Sequence, residues 1–410
     1  MTETEQPWYT DKYYVSPYNY VDEVRAKNAG FPRKVAIHDV TLRDGEQQAG
    51  IVFRKEAKIR IARALDEAGV NRIEAGMPSV SSDDMQAIKE IAGLGLQAKI
   101  FAFARCMKAD VDNALKVDVD GVVMEVPSSD HLIKYGYGWN ENRAIELAVE
   151  ATTYAKEHGL YVTFFTIDST RVKFDTFWRL VGNVATNGHM DSLAIADTFG
   201  VMSPEAYAYF VSRVKEIVKK PVEIHAHNDF GLAVANTIAG LGAGAETAHV
   251  TVNGIGERSG NTALEELVMG LKALYGVDTD VKPERLRSLS KLVQDLSGVK
   301  FPPQKPIVGD GLFTTESGII AGWWKRLEEL RMPLEMFPFL PETVGHEAVK
   351  VILGKKSGRD SIIYKARKLK KHINEDQIDL ILLAVKEEAI KRGGPLSDDE
   401  FVAIIERIQG

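Results

Sequence analysis

Two histidines placed two residues apart are the side chains of this sequence best suited to chemistry. His225 and His227 follow the apolar Val222 and Ile224 in the segment PVEIHAHND. This short apolar run predicts a strand, and side chains at positions i and i+2 of a strand point to the same face. Two neutral imidazoles side by side are ligands for a divalent metal, although such pairs are as often packed or hydrogen-bonded without one. The pair alone leaves both interpretations open.

The composition indicates a soluble enzyme or a metabolic binding protein. The chain has 410 residues, of which 45% are hydrophobic and 27% charged, and its net charge of -7 offers no basic face to nucleic acid. The single cysteine, Cys106, excludes an internal disulfide and a multi-thiolate metal site. Neither a signal peptide nor a membrane-spanning run is evident. We therefore expect a cytoplasmic protein with no nucleic-acid or membrane partner.

Short apolar runs alternate with segments of helical period through most of the chain. Eight such strand–helix units, with nearly continuous apolar strands, predict a closed parallel (β/α)8 TIM barrel. A doubly wound open sheet would usually place a glycine-rich dinucleotide loop after its first strand, where this chain has LRDGE. The eight predicted strands are 35–44, 72–78, 99–105, 121–127, 161–169, 192–200, 222–229 and 248–256.

The chain outside this alternation lacks the same rhythm. Residues 1–33 are rich in tyrosine and have no sustained period, which favours an irregular N-terminal arm. We expect the catalytic barrel to span 34–290. Residues 291–410 contain two proline-rich linkers and several amphipathic stretches, which predict a small, mainly helical C-terminal region.

Polar or ionisable residues end nearly every predicted strand. In a TIM barrel the active site lies at the C-terminal ends of the strands. Surface loops are polar in any protein, but that explanation fits poorly with charges inside the last apolar turn of each strand. These residues are Arg43, Asp44, Glu74, Arg105, Glu125, Asp168, Arg171, Asp197, Thr198, His225, His227 and Asn253.

The closed barrel brings further ligands to the histidines, because strand 8 lies between strands 7 and 1. Asp44 supplies a carboxylate, and Asn261, at the start of the eighth helix, supplies an amide oxygen. This mixed set suits Mg²⁺, Mn²⁺, Zn²⁺ or Fe²⁺ and does not choose among them. Open positions would let the metal act as a Lewis acid on a chelating α-keto or α-hydroxy acid. Arg43 offers a fixed cation for a carboxylate or a developing enolate oxygen.

Three long segments resemble the signatures of a known enzyme family. They are HDVTLRDGEQQAG (38–50), HAHNDFGLAVANT (225–237) and NGIGERSGNTALEE (253–266). They resemble the metal-dependent barrel enzymes that include isopropylmalate, homocitrate and citramalate synthases, to which hydroxymethylglutaryl-CoA lyase is more distantly related. The resemblance covers the barrel and continues into the C-terminal region.

The resemblance implies a reaction and roles for particular residues. Asp44, His225 and His227 would bind the metal, with Asn261 nearby or ligating. Arg43 would stabilise the enolate of acetyl-CoA or bind the keto acid. In this family that enolate attacks the keto carbon and the thioester is then hydrolysed, so an acyl-CoA is the expected co-substrate. Gln47, His131 and Thr198 would line the keto-acid pocket. The C-terminal region resembles a part that crosses into a partner's barrel, which implies a homodimer.

Two departures from the family fall on proton transfer. The glutamate that the synthases carry at the end of strand 5 is Ile167 here, and the histidine of their C-terminal motif is Ile320. Because isoleucine cannot move a proton, another group is needed or the chemistry differs. The alternatives are a metal-dependent lyase or aldolase, and a non-catalytic ligand-binding barrel. The substitute groups considered are Glu74, His131, Asp168 and Glu257, and Asp168 also pairs with Arg171 as either a substrate-binding or a structural ion pair.

Overall fold

A closed barrel of eight parallel strands confirms the predicted TIM fold. The computed structural model describes residues 6–410. Within them each barrel strand pairs with the next, and the eighth pairs with the first. The barrel strands are β1 (Ala36–Asp39), β2 (Arg72–Glu74), β3 (Lys99–Arg105), β4 (Gly121–Pro127), β5 (Tyr161–Ile167), β6 (Ser192–Asp197), β7 (Val222–Ala226) and β8 (Thr247–Val250).

Helices separate the strands, and their ends follow local sequence signals. Ser203 caps the seventh helix by accepting from the backbone of Ala206, and Pro204 occupies its first position. Gly69 ends the second helix in a left-handed conformation. The helices of this part are α1 (Asp22–Arg25), α2 (Lys55–Ala68), α3 (Ser82–Ala92), α4 (Lys108–Lys116), α5 (Glu141–Glu157), α6 (Phe174–Asn187), α7 (Pro204–Ile217), α8 (Ala233–Gly242), α9 (Leu264–Gly270) and α10 (Leu286–Ser297).

Several strands end earlier than the apolar runs predict. The run beginning at Val35 continues to Asp44, but β1 ends at Asp39 and the chain turns, with the backbone N–H groups of Arg43 and Gly45 both bonded to the carbonyl of Val40. A turn places successive side chains in directions that strand alternation does not allow. Arg43 and Asp44 therefore reach the barrel mouth from a turn.

The barrel interior contains an apolar cluster and a buried ionic cluster. Phe101, Phe103, Val123 and Phe165 pack together with small alanines. Next to them His38, Glu223 and His249 are buried, and all three are residue types that bind metals. Here Arg72 donates to one oxygen of Glu223 at 2.7 Å, and Nε2 of His249 lies 2.7 Å from the other. The carboxylate is therefore already balanced by a cation and a hydrogen-bonded ring.

The chain forms two compact units, which are described separately. One is Pro17–Lys300; the other combines Phe301–Gly410 with the described part of Met1–Ser16. In the second unit the backbone of Tyr14 donates to Pro338, and that of Leu340 donates to Lys12. The arm expected over 1–33 is thus shared between the units, and its residues 1–5 lie outside the described residues. The sequence-based limits 1–33, 34–290 and 291–410 stay a prediction about independently folding domains.

The second unit is mainly helical, as predicted. Its helices pack through Leu353, Ile362, Ile381, Val385 and Phe401. The elements are β9 (Thr314–Thr315), α11 (Gly318–Leu330), β10 (Lys350–Val351), α12 (Arg359–Lys368), α13 (Ile378–Arg392) and α14 (Asp398–Gln409). None of the helices in residues 6–410 has the unbroken apolar length that a bilayer crossing requires.

Candidate active site

The two histidines lie side by side at the mouth of the barrel. His225 is in β7 and His227 follows its last residue, and their Nε2 atoms are 3.2 Å apart. Oδ2 of Asp44 lies 3.5 Å from Nε2 of His225 and 3.9 Å from Nε2 of His227. All three side chains are buried. The turn after β1 and the end of β7 thus bring three ligand-type atoms to one point.

The protonation states of these groups fit a divalent metal. Burial lowers the pKa of His225 to about 3 and also lowers the pKa of His227, so both rings are neutral at pH 7. Burial would raise the pKa of Asp44, but the charge of Arg43 and the hydrogen bond from His225 hold it well below its usual range. Ligand atoms on one metal with bonds of about 2.1 Å are roughly 3.0–3.4 Å apart. The spacings within this trio, 3.2, 3.5 and 3.9 Å, are within or slightly above that range.

Asn261 orients the carboxylate of Asp44. Its Nδ2 donates to Oδ1 of Asp44 at 2.8 Å and to the carbonyl of Ile255 at 3.2 Å. Its buried Oδ1 has no hydrogen-bond partner within the described part of the chain. Ligation by Asn261 stays a prediction, while its contacts hold the carboxylate that faces the two histidines.

Gly256 permits the close approach of this loop to the site. Its φ is +150°, which L side chains rarely adopt, and a Cβ there would lie 2.2 Å from Nδ2 of Asn261 and 3.0 Å from Oδ1 of Asp44. Any side chain at this position would displace the amide that orients Asp44. The glycine of the NGIGERSGN segment is therefore part of the site's geometry.

Arg43 is held on three sides and leaves one donor unused. Its Nε donates to Glu74, and its Nη1 donates to Asp44 at 2.7 Å and to Gln47 at 3.3 Å. Its guanidinium lies 4.2 Å from the ring centroid of Phe103. Burial alone would lower the pKa of Arg43, but Glu74 and Asp44 raise it. Nη2 is buried without a partner among the described residues, so it remains available to a ligand in the cavity.

Glu74 positions this guanidinium from below. Its side chain is fully buried, and its Oε2 lies 3.5 Å from Nε2 of His38. Burial would raise its pKa, but Arg43 and His38 lower it to about 2. An ionised carboxylate without solvent contact is suited to fixing a cation. The catalytic role predicted for Glu74 stays a prediction.

A cavity of about 610 Å³ opens above these groups. Its wall includes Arg43, Asp44, Gln47, Thr198, His225 and His227 among the residues predicted from the sequence. An apolar part of the wall is formed by Ile51, Met77, Phe103, Phe165 and Ile167. Ile167 therefore lines the cavity. The synthases whose signatures this sequence resembles would carry a glutamate at this position.

A second polar cluster lies around Asp168. Its carboxylate accepts from Nε of Arg171 at 2.8 Å and from Oγ of Ser129 at 2.6 Å, and Nε2 of His131 lies 2.9 Å away. The backbone N–H of Asp168 donates to Oγ1 of Thr198 at 2.8 Å. Of these five residues, all within the described chain, Thr198 alone lies on the cavity wall. The substrate roles expected of His131 and Arg171, and the catalytic role of Asp168, stay predictions.

Sequence reasoning gave no site role to several polar groups of the cavity wall, among them Lys58 and Glu125. Lys58 of α2 is buried and pairs with Glu46 at 2.7 Å and Asp84 at 2.5 Å. Glu125 was seen only as a strand end. Counting alternate positions along β4 from the interior Val123 would have placed Glu125 inside the barrel. The helical period would likewise have placed Lys58 on the buried face of α2, with Ile61, Ala62 and Leu65.

Comparisons with known proteins agree with this geometry. Residues 34–293 match the family model described as HMGL-like. The chain is 40% identical over 399 residues to homocitrate synthase AksA of Methanothermobacter thermautotrophicus, covering 97% of this chain and 99% of that protein. It is 41% identical over 396 residues to 2-isopropylmalate synthase of Methanocaldococcus jannaschii, covering 96% and 75%. The HMG-CoA lyase of Bacillus subtilis shares the fold, with a TM-score of 0.60 at 21% identity over 66% of this chain and 96% of that one.

Proposed function

Because the chain belongs to the HMGL-like family, we propose that it is an acyltransferase that condenses acetyl-CoA with an α-keto acid. The observation that carries the proposal is the convergence of two neutral imidazoles, the Asp44 carboxylate and the unused Nη2 of Arg43 on one cavity. The side chain of the keto acid and the identity of the metal among Mg²⁺, Mn²⁺, Zn²⁺ and Fe²⁺ are left open.

Asp44, His225 and His227 are the residues that would hold the metal. When bound, a divalent ion would supply Lewis acidity to the carbonyl of a chelating keto acid. Arg43 would donate from Nη2 to the thioester oxygen as negative charge develops there, or to the carboxylate of the keto acid. Phe103 and Phe165 exclude water beside the guanidinium, which strengthens its electrostatic effect.

The condensation requires a balanced movement of one proton and one electron pair. A methyl C–H bond of acetyl-CoA breaks, and its electron pair forms the new C–C bond to the keto carbon. The keto oxygen becomes a hydroxyl group, and water then hydrolyses the thioester to release CoA. In this chain Arg43 stabilises the enolate, and a base must take the methyl proton.

A lyase that cleaves a hydroxy acid at the same site is the second candidate. Ile167 on the cavity wall favours it, because the glutamate of the resembling synthases is absent there. Metal-dependent release of a keto acid from a hydroxy acid without CoA would support the lyase. Cleavage that depends strictly on CoA would instead be the reverse of the proposed condensation.

The test is the release of free CoA thiol from acetyl-CoA with a panel of α-keto acids. We expect thiol release with at least one acid, and its loss after chelation and restoration by a divalent metal. No release with any acid, in protein that carries metal, would contradict the proposal.

The metal assignment has its own control pair. His225→Ala is expected to lose bound metal, measured by elemental analysis, whereas His158→Ala keeps it because His158 is an exposed residue at the end of α5. Equal metal content in the two variants would refute the site.

We also infer a homodimer from the family resemblance, and light scattering in solution tests it.

A further inference from the structure

The acidic side chains first considered for proton transfer are occupied or exposed. Glu74 is bound by Arg43, and Asp168 by Arg171 and Ser129, and both carboxylates are fully buried. The side chain of Glu257 lines the cavity but is 52% exposed. A carboxylate that is already paired, or half exposed to solvent, is a poor base for a carbon acid.

Glu125 differs from these three in its contacts. It lies on β4, lines the same cavity as Arg43 and His225, and is partly buried. Its carboxylate has no hydrogen-bond or ion-pair partner within residues 6–410. It is therefore a cavity-lining acid whose oxygens are available to a ligand.

The strand register places Glu125 beside the position that lacks the family's glutamate. Glu125 pairs with Phe165 on β5, and Pro127 pairs with Ile167. Phe165 and Ile167 share the interior face of β5, because they are two residues apart. Glu125 therefore lies on the strand next to that of Ile167, two residues deeper in the barrel, and on the same interior face.

Arg105, on the neighbouring strand β3, pairs with Asp110 of α4 and not with Glu125. Arg105 is directly opposite Glu125 in the β3–β4 register. Its guanidinium is held by Asp110, with Nε 2.8 Å from Oδ2 and Nη2 2.9 Å from Oδ1. Because Nε and Nη2 of Arg105 are bonded to Asp110, the guanidinium makes no ion pair with Glu125 in the described part of the chain.

The surroundings of Glu125 give its carboxyl group a pKa suited to proton transfer. The titratable or charged groups that face it are Arg43, Glu74, Arg105, Cys106, Asp110 and Tyr137. Burial raises the pKa of Glu125 to about 7, while Arg43 and Arg105 act in the opposite direction. A base whose pKa lies near the working pH transfers protons most efficiently.

From this geometry we propose that Glu125 is the general base of the condensation, taking over the task of the glutamate that Ile167 replaces. This inference rests on the proposed function. A carboxylate oxygen of Glu125 forms an O–H bond as the methyl C–H bond of acetyl-CoA breaks, and the electron pair of that bond passes into the enolate. After the C–C bond forms, Glu125 returns the proton to the oxygen of the former keto group and is ionised for the next turnover.

The test compares Glu125→Gln with wild type and with Glu67→Gln, an exposed glutamate on α2. We expect Glu125→Gln to keep its bound metal and its affinity for the keto acid, measured by calorimetry. Its kcat is expected to fall by about 10²–10⁴-fold. Glu125→Asp keeps the carboxylate but shortens its reach, and an intermediate kcat is expected.

A pH profile separates a base from a structural residue. Wild-type kcat/KM is expected to fall as the pH drops below about 7, and Glu125→Gln should lose this acid limb. Independently of activity, carboxyl NMR of protein labelled at glutamate should show one signal titrating near pH 7 that is absent from the variant. Glutamate labelling avoids interference from Asp39, whose pKa is also about 7.

Two results distinguish a failure of the condensation proposal from a failure of the proposal for Glu125. A wild-type enzyme inactive with every keto acid would overturn the condensation itself. A Glu125→Gln variant with wild-type kcat and an unchanged acid limb, in an active enzyme, would overturn the role of Glu125 alone.

Discussion

Asn261 donates from Nδ2 to Oδ1 of Asp44 at 2.8 Å, although the two residues are 217 positions apart in the sequence. The contact joins the loop after β8 to the turn after β1. Arg43 donates to the other oxygen of the same carboxylate at 2.7 Å. Both oxygens of Asp44 are therefore oriented by neighbours, and Oδ2 faces the two histidines.

Removing this amide should weaken metal binding without unfolding the barrel. Groups that orient a metal ligand typically contribute 10–100-fold to affinity, so we expect Asn261→Ala to raise the metal Kd by about that factor. Calorimetric titration of chelator-treated protein measures it. Asn187→Ala, at the exposed end of α6, serves as the control. An unchanged Kd for Asn261→Ala would show that Asp44 needs no orientation.

Gly256→Ala should disrupt the site through its Cβ. The new carbon would lie 2.2 Å from Nδ2 of Asn261, which forces the amide away from Asp44. Gly159→Ala is a matched control, because Gly159 also has a positive φ of +85° but open space around it. Gly159→Ala should lose on the order of 1 kcal/mol of stability from its backbone conformation alone, whereas Gly256→Ala should lose more because of the clash, and only Gly256→Ala should lose metal affinity. Equal metal affinity in the two variants would contradict this account.

Arg43→Lys should reduce both activity and stability, for separable reasons. A lysine cannot reproduce the guanidinium donors, so kcat/KM is expected to fall by about 10²–10³-fold. Weakening the pair with buried Glu74 should lower the free energy of unfolding by up to about 3–5 kcal/mol.

The double variant Arg43→Lys/Glu74→Gln separates the two effects. It removes the buried negative charge, so urea unfolding should show recovered stability while activity stays low. Arg179→Lys, an exposed pair with Glu141 on the helices, is the control for the substitution itself. Recovery of activity in the double variant would argue against a direct role for Arg43.

Asp39 should make stability fall as the pH rises through about 7. Its buried carboxyl accepts from the backbone and hydroxyl of Thr41, and burial raises its pKa from 3.8 to about 7. Between these values the folded state holds a proton that the unfolded chain has released. The contribution of Asp39 to stability is therefore fully present below about pH 4, decreases as the pH rises toward 7, and is constant above that, with a full loss on the order of 4 kcal/mol.

Asp39→Asn should remove the part of the pH dependence of stability that Asp39 causes. Urea unfolding of metal-free protein between pH 4 and 8 is expected to show a difference from wild type that grows up to about pH 7 and then stays constant. Glu125 titrates in the same range, but it is present in both proteins and cancels. Asp175→Asn, an exposed first-turn residue of α6, should show no such growth. Parallel stability curves for Asp39→Asn and wild type would refute the prediction.

Local pattern in the sequence was enough for the fold and for the histidine pair. The predicted limits of β3 and β4 coincide with the structure, because the strand period is a property of neighbouring residues. The same alternation placed His225 and His227 on one face, and their Nε2 atoms lie 3.2 Å apart. Both inferences use residues within a few positions of each other.

Only the tertiary structure decided which acids are available for proton transfer. Glu74, Glu125 and Asp168 all stood at predicted strand ends, and nothing in their local sequence separates them. Glu74 and Asp168 are paired with arginines, whereas Glu125 has no such partner among residues 6–410, where Arg105 is bonded to Asp110. The protonation and reach of a carboxylate depend on burial and on charges brought near by the closed barrel, and the order of residues along the chain does not contain those distances.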